Sequence, residues 1–124
     1  VNERSVVEEE NTMMRERDIE QLLVREVRKN GGRAYKFISP GNDGVPDRIV
    51  LMPDGKIYFV ELKTLHGKES ALQHAQRRRI SELGQIVFVV YGLKGLADFF
   101  KATGFPESSD LIAAIAEKMR EEQA

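Results

Sequence analysis

Ile19, Leu22, Leu23 and Val27 recur at the three- and four-residue spacing of one helix face. This predicts a helix over residues 14–30, stopped by Gly31-Gly32. Tyr35 and Phe37 then alternate with more polar neighbours, a strand pattern over residues 33–38, and the breakers in Ser39-Pro40-Gly41-Asn42-Asp43-Gly44 predict a surface loop. Residues 48–52 and 57–63 are rich in β-branched and aromatic types and flank the turn sequence Pro53-Asp54-Gly55-Lys56, so they should pair as a hairpin. Ser70 with Gln73 forms a capping-box pattern, after which Leu72, Ile80 and Leu83 supply an apolar helical face that ends at Gly84. The apolar run 86–91 is expected as a buried strand, reached through a right-handed helical crossover and parallel to its neighbour. Further helices are predicted near residues 93–101 and 109–122. The order predicts an α/β fold in which a mixed sheet of about four strands is flanked by helices.

Composition narrows this picture. A chain of 124 residues fits one core. Residues 1–13 contain Glu8-Glu9-Glu10 and no apolar period, and are expected as a flexible acidic arm preceding a single domain over 14–124. No apolar run approaches the roughly 20 residues of a membrane span, so no membrane association is expected. There is no cysteine and no basic-then-apolar leader, which points to a cytoplasmic setting. The net charge of −1 conceals a division, because residues 21–101 carry fourteen basic and eight acidic groups between two acidic ends. A basic centre suits a polyanionic partner.

The candidate chemistry lies in the hairpin. Glu61 and Lys63, two apart on a strand, project from the same face. Asp47 begins the partner strand, and counting across the turn brings it beside Glu61. Two carboxylates, with the Leu62 carbonyl as a further oxygen, can hold Mg2+, a hard cation that keeps open positions for water and phosphate. Lys63 can then orient an attacking water and add positive charge beside a phosphodiester. The competing reading is a solvated Glu-x-Lys pair on an edge strand. The first helix offers a further carboxylate: Glu16, Glu20 and Glu26 all fall in or beside its apolar arc, and periodicity does not choose among them. One of them is equally well read as an interfacial glutamate satisfied by a lysine or arginine. Arg77-Arg78-Arg79 could grip phosphates, extended by Lys36 and Arg48, although three consecutive helical residues cannot all face one ligand. His66 and His74 lack partners at metal-ligand spacing, and no phosphate-binding glycine loop, Ser/His nucleophile or zinc motif is present.

Gly44-Val45-Pro46-Asp47, Glu61-Leu62-Lys63 and Ser70-Ala71-Leu72-Gln73 together resemble the virus-type replication-repair nuclease (VRR-NUC) domain of the PD-(D/E)xK superfamily. The resemblance spans about residues 15–91 and favours short stand-alone members from phages and bacteria. It implies a restriction-endonuclease-like three-layer fold, with Asp47 and Glu61 as metal ligands, Lys63 as the catalytic lysine and Gln73 as a supporting glutamine. Ala71 departs from the usual proline, which alters the helix start rather than the chemistry. Glu20, eleven residues before Gly31 as in related archaeal junction resolvases, would be the helix acid, with Glu16 as the alternative alignment. Mg2+ would be the cofactor, with Mn2+ able to substitute. The expected activity is that of a homodimeric endonuclease resolving four-way DNA junctions in a bacterial cell or phage-infected host, since the chain leaves no room for separate branch-recognition domains. A flap or duplex-end nuclease, or a non-catalytic DNA-binding module, are the alternatives. Leu96, Phe99, Phe100, Leu111, Ile112 and Ile115 would form either the dimer contact or a packing face against their own sheet.

Overall fold

The computed structural model describes residues 14–123, so the acidic arm expected over 1–13 lies outside the described residues. The elements are α1 (Glu16–Lys29), β1 (Arg33–Lys36), β2 (Arg48–Leu51), β3 (Ile57–Lys63), α2 (Ala71–Glu82), β4 (Val87–Tyr91), α3 (Gly92–Ala102) and α4 (Pro106–Gln123). The strands form one mixed sheet in sequence order, antiparallel except for the β3–β4 pair. Among the described residues no helix is long and apolar enough to cross a membrane.

Alternation divides the sheet into two unlike faces. Directly opposed residues share a face, so Ala34, Val50, Tyr58 and Val60 point one way, with Leu62 and Val90. On this side Ile19, Leu23 and Val27 of α1, Leu96, Phe99 and Phe100 of α3 and Ile112 of α4 complete the core. Tyr58, Phe88, Phe99 and Phe100 meet edge to face at centroid distances of 5.0–6.0 Å, the geometry that ring quadrupoles favour.

The last two helices therefore correct one expectation. Leu96, Phe99, Phe100 and Ile112 are buried within their own chain and Ile115 packs against them, leaving only Leu111 partly exposed. They are not an open dimer contact. A second correction concerns α2, which buries no residue: Leu72 is 58% and Leu83 74% exposed. Of its predicted apolar stripe only Ile80 is partly buried, and Leu72 and Leu83 stay open. The run 86–91 likewise becomes an edge strand, with Val90 buried but Ile86 and Tyr91 exposed.

Glu26 settles part of the α1 ambiguity. It is buried, its Oε1 accepts from Ser108 Oγ at 2.9 Å, and Oε2 accepts from Arg25 Nε at 3.1 Å. Asn30 Nδ2 donates to the same Ser108 oxygen at 2.8 Å, which ties the end of α1 to α4. Burial acts to raise the Glu26 pKa, but the Ser108 and Arg25 hydrogen bonds and the Lys29 charge hold it below the usual carboxylate value. Glu26 is thus the interfacial structural acid. Ser108→Ala strands a buried charge-assisted pair and should cost about 1–3 kcal/mol. Urea denaturation checks this, and an unchanged midpoint would show that the network carries no stability.

Candidate active site

The site is assembled where the β2–β3 hairpin meets the start of α2. The observed register pairs Arg48 with Val60, so Asp47 enters beside Glu61 as turn counting predicts. Two backbone contacts hold Asp47 there. Phe37 N donates to its carbonyl at 2.9 Å, and Leu62 N donates to its Oδ2 at 2.7 Å. Burial raises the Asp47 pKa; the Leu62 amide, Lys63 and Arg48 oppose that effect, and Glu20 adds to it.

Glu61 is the most unusual group in the described chain. Its side chain is 1% exposed, and neither carboxylate oxygen has a hydrogen-bond partner. Burial, then the facing Glu69 carboxyl, push its pKa up to about 8, with Asp47 adding and Lys63 subtracting. A buried carboxylate with no donor costs several kcal/mol unless something positive meets it. Lys63 lies on the same face of β3 and is half-buried. The donor set is therefore two carboxylates beside a lysine, all oxygen on the acceptor side. It fits a hard divalent cation and offers nothing for a soft one.

Other expected residues are placed differently. Glu20 does not join Asp47 and Glu61, because Arg48 Nε binds its Oε2 at 2.8 Å while Arg48 Nη1 donates to the Ala34 carbonyl at 3.0 Å. No three His, Cys, Asp or Glu side chains among the described residues surround a common point. Arg48, expected on a DNA-facing surface, is engaged inward for the same reason. Glu16 lies within the field of Lys63, Asp47 and Glu20, and its pKa is raised chiefly by burial. Both helix acids thus reach the site's edge, one already paired. Lys36 is exposed on β1.

Gln73 is placed by the capping box: its backbone N–H donates to Ser70 Oγ at 3.1 Å and its Oε1 accepts from Ser70 N at 2.8 Å. Its carboxamide oxygen is therefore occupied, leaving the amide nitrogen as the donor available to the site. Gly44, at φ +89°, brings the loop before Asp47 against this first turn of α2. A Cβ there would lie 2.6 Å from the Leu72 carbonyl carbon.

Glu69 was not singled out from sequence. It immediately precedes the Ser70 cap and faces Glu61, and Arg77 grips it with Nε at 3.0 Å and Nη2 at 2.9 Å. Arg77 holds the Glu69 pKa down, so the negative charge stays on Glu69 while Glu61 takes up a proton. The only local signal was an acid eight residues before an arginine on a capped helix. Arg77 is consequently directed at Glu69, with His74 Nδ1 2.9 Å from its Nη2, while Arg78 reaches Glu82 and Arg79 is exposed.

No family model matches the chain. A protein of Acyrthosiphon pisum secondary endosymbiont phage 1, named "Putative nuclease p44", is 51% identical over 78 residues, covering 63% of this chain and 84% of that protein. A solved structure described as a VRR_NUC domain is 27% identical with a TM-score of 0.59, covering 79% of this chain and 94% of that one.

Proposed function

This chain belongs to the VRR-NUC family of nucleases, and we propose that it is a divalent-metal-dependent endonuclease that resolves four-way DNA junctions as a homodimer. The observation that carries the metal-dependent reading is Glu61, a fully buried carboxylate without a donor, set beside Asp47 and Lys63. Asp47 and Glu61 would hold Mg2+, or Mn2+ in its place, with the Leu62 carbonyl as a further oxygen and Glu16 or Glu20 at the edge. Such an ion, when bound, supplies Lewis-acid polarisation of the phosphoryl oxygen and of the attacking water. The Leu62 amide fixes the Asp47 carboxylate in place, so its orientation costs nothing at the moment of reaction. Lys63 orients the attacking water and offsets charge growing on the phosphate. Gln73 braces this arrangement through its amide nitrogen.

The homodimer reading draws on a different surface from the last two helices. Tyr35, Leu51 and Ile57 share the sheet face opposite the core and are 57%, 37% and 46% exposed. A second copy would cover them together with Leu72 and Leu83 of α2. A four-way junction has the matching two-fold symmetry. The phage relative supports action in the cytoplasm of a bacterial cell or phage-infected host.

Labelled four-way junction, flap and linear duplex, each with Mg2+, Mn2+ or EDTA, test the reading. Paired symmetric nicks on the junction alone, lost in EDTA, are expected. Lys63→Ala should slow them by roughly 10²-fold or more while junction affinity changes by only a few-fold. Equal cutting of flap or duplex ends would replace junction resolution with those substrates, and tight binding without cutting would make the domain a binding module.

A further inference from the structure

Helix α1 disposes of its charges unequally. Asp18 pairs with Arg15, Glu20 pairs with Arg48, Glu16 lies in the field of Asp47 and Lys63, and Glu26 is buried against Ser108. Its acids therefore turn toward the site, the core or the start of the helix. What remains outward is Arg17, Gln21, Arg25 and Arg28, spaced at four, four and three residues along one stripe. These four, with Glu20 and Arg48, line an open groove of about 470 Å3. Arg25 touches Glu26 through Nε yet its side chain stays 57% exposed, so its outer nitrogens remain donors.

A solvated helix face normally interleaves acids and bases at i, i+4. Here the positions between the arginines are Gln21 and Val24, and among the described residues Arg17 and Arg28 pair with no carboxylate, while Arg25 and Arg48 have Glu26 and Glu20. We infer that this groove binds the phosphate backbone of the DNA strand flanking the cleaved bond. The inference rests on the nuclease reading above and specifies where its substrate lies.

Two features connect the groove to the chemistry. Arg48 directly follows Asp47 in sequence, and Glu20 is close enough for its charge to act on Asp47. From Arg17 to Arg28 the helix rises about 16 Å, which matches the axial run of roughly four or five nucleotides of duplex. Arginine suits this use because its planar fork meets two phosphate oxygens at once. The Arg48–Glu20 pair closes the site end of the groove and, being neutral overall, leaves the net charge to Arg17 and Arg28, with Arg25 adding the outer donors that its Glu26 contact leaves open.

The test is junction affinity against salt, in EDTA to prevent cutting, for wild type, the double variant Arg17→Gln/Arg28→Gln and the charge-matched double variant Lys94→Gln/Lys101→Gln on α3. Arg25 is left intact because it contacts the buried Glu26. The groove variant should bind roughly ten-fold more weakly near 0.1 M salt, and the slope of log affinity against log salt should shrink by about 2, one released counterion per lost phosphate contact. The α3 variant should match wild type. A groove variant with the wild-type slope, or one indistinguishable from the α3 variant, overturns the groove. The expected slope change in the groove variant, together with no cutting by wild type once Mg2+ replaces EDTA, would instead leave the groove standing and overturn the nuclease mechanism.

Discussion

Glu61→Gln is expected to abolish cleavage, by roughly 10³-fold or more, while making the metal-free protein more stable at pH 8. The two effects have one cause. Glu61 is 1% exposed with no donor and faces Glu69, so folding disfavours its charged form and raises its pKa from the ordinary 4.5 to about 8. A group whose folded pKa is raised contributes stability that is fully present below the unfolded pKa and is lost as pH climbs through the folded one. For Glu61 that window runs from about 4.5 to about 8. Asp47 and Glu16 are shifted in the same direction, whereas Glu26 and Glu69 are shifted down and add stability that is lost only in acid. The slope between pH 5 and 8 therefore belongs mainly to Glu61.

Each pH unit in that window is worth at most about 1.4 kcal/mol. Gln keeps the shape, carries no charge at any pH, and can donate its amide to Glu69. Thermal melts in EDTA should find the variant close to wild type at pH 5 and more stable by at least ~1 kcal/mol at pH 8. Adding Mn2+ at pH 8 should raise the wild-type Tm, with saturation at a hundred times Kd worth ~2.7 kcal/mol, and should leave the variant nearly unmoved. Equal melting of the two proteins at both pH values would remove the buried-charge account of this site.

Gly44→Ala should be the most damaging substitution outside the charged groups. At φ +89° a side chain is strained, and its Cβ would sit 2.6 Å from the Leu72 carbonyl carbon and 2.8 Å from Gln73 N, both backbone atoms that cannot rotate away. Left-handed strain costs ~1–3 kcal/mol and overpacking a similar amount, so a loss of about 3 kcal/mol is expected. The relief available to the protein is to push α2 away from the loop. That moves Gln73 and Glu69 from the site, so cleavage should fall beyond what stability alone explains. Gly41→Ala is the control: its φ is +81°, but nothing lies within 4 Å of the added carbon. It should cost only the strain and leave cutting intact. If the two substitutions behave alike in denaturation and cleavage, the loop is not registered by α2.

Local rules made much of this protein legible. The period of Ile19, Leu23 and Val27 marks α1, the Ser70/Gln73 pair marks the start of α2, and the turn length places Asp47 beside Glu61. These features depend on neighbours a few residues apart, where helical and strand periods leave few choices. Burial was less legible. The apolar positions of α2 look like a core face, yet Leu72 and Leu83 are exposed, because the helix is held by its cap, by Gly44 and by the Glu69–Arg77 pair. The last helices look equally able to pack inward or outward in sequence, and they pack inward because Tyr58, Phe88 and Val90 of the sheet receive their apolar side chains.

The sequence by itself determined the order of elements, the hairpin register and the two carboxylates and lysine that share its end. Only the tertiary structure decided which partner each long charged side chain takes: Glu26 goes to Ser108, Glu20 to Arg48, and Arg77 to Glu69. The division is physical. Backbone periods constrain where a side chain starts, but a glutamate or arginine reaches several ångströms beyond its Cβ. Its final place is set by the charges and donors that distant segments bring within that reach.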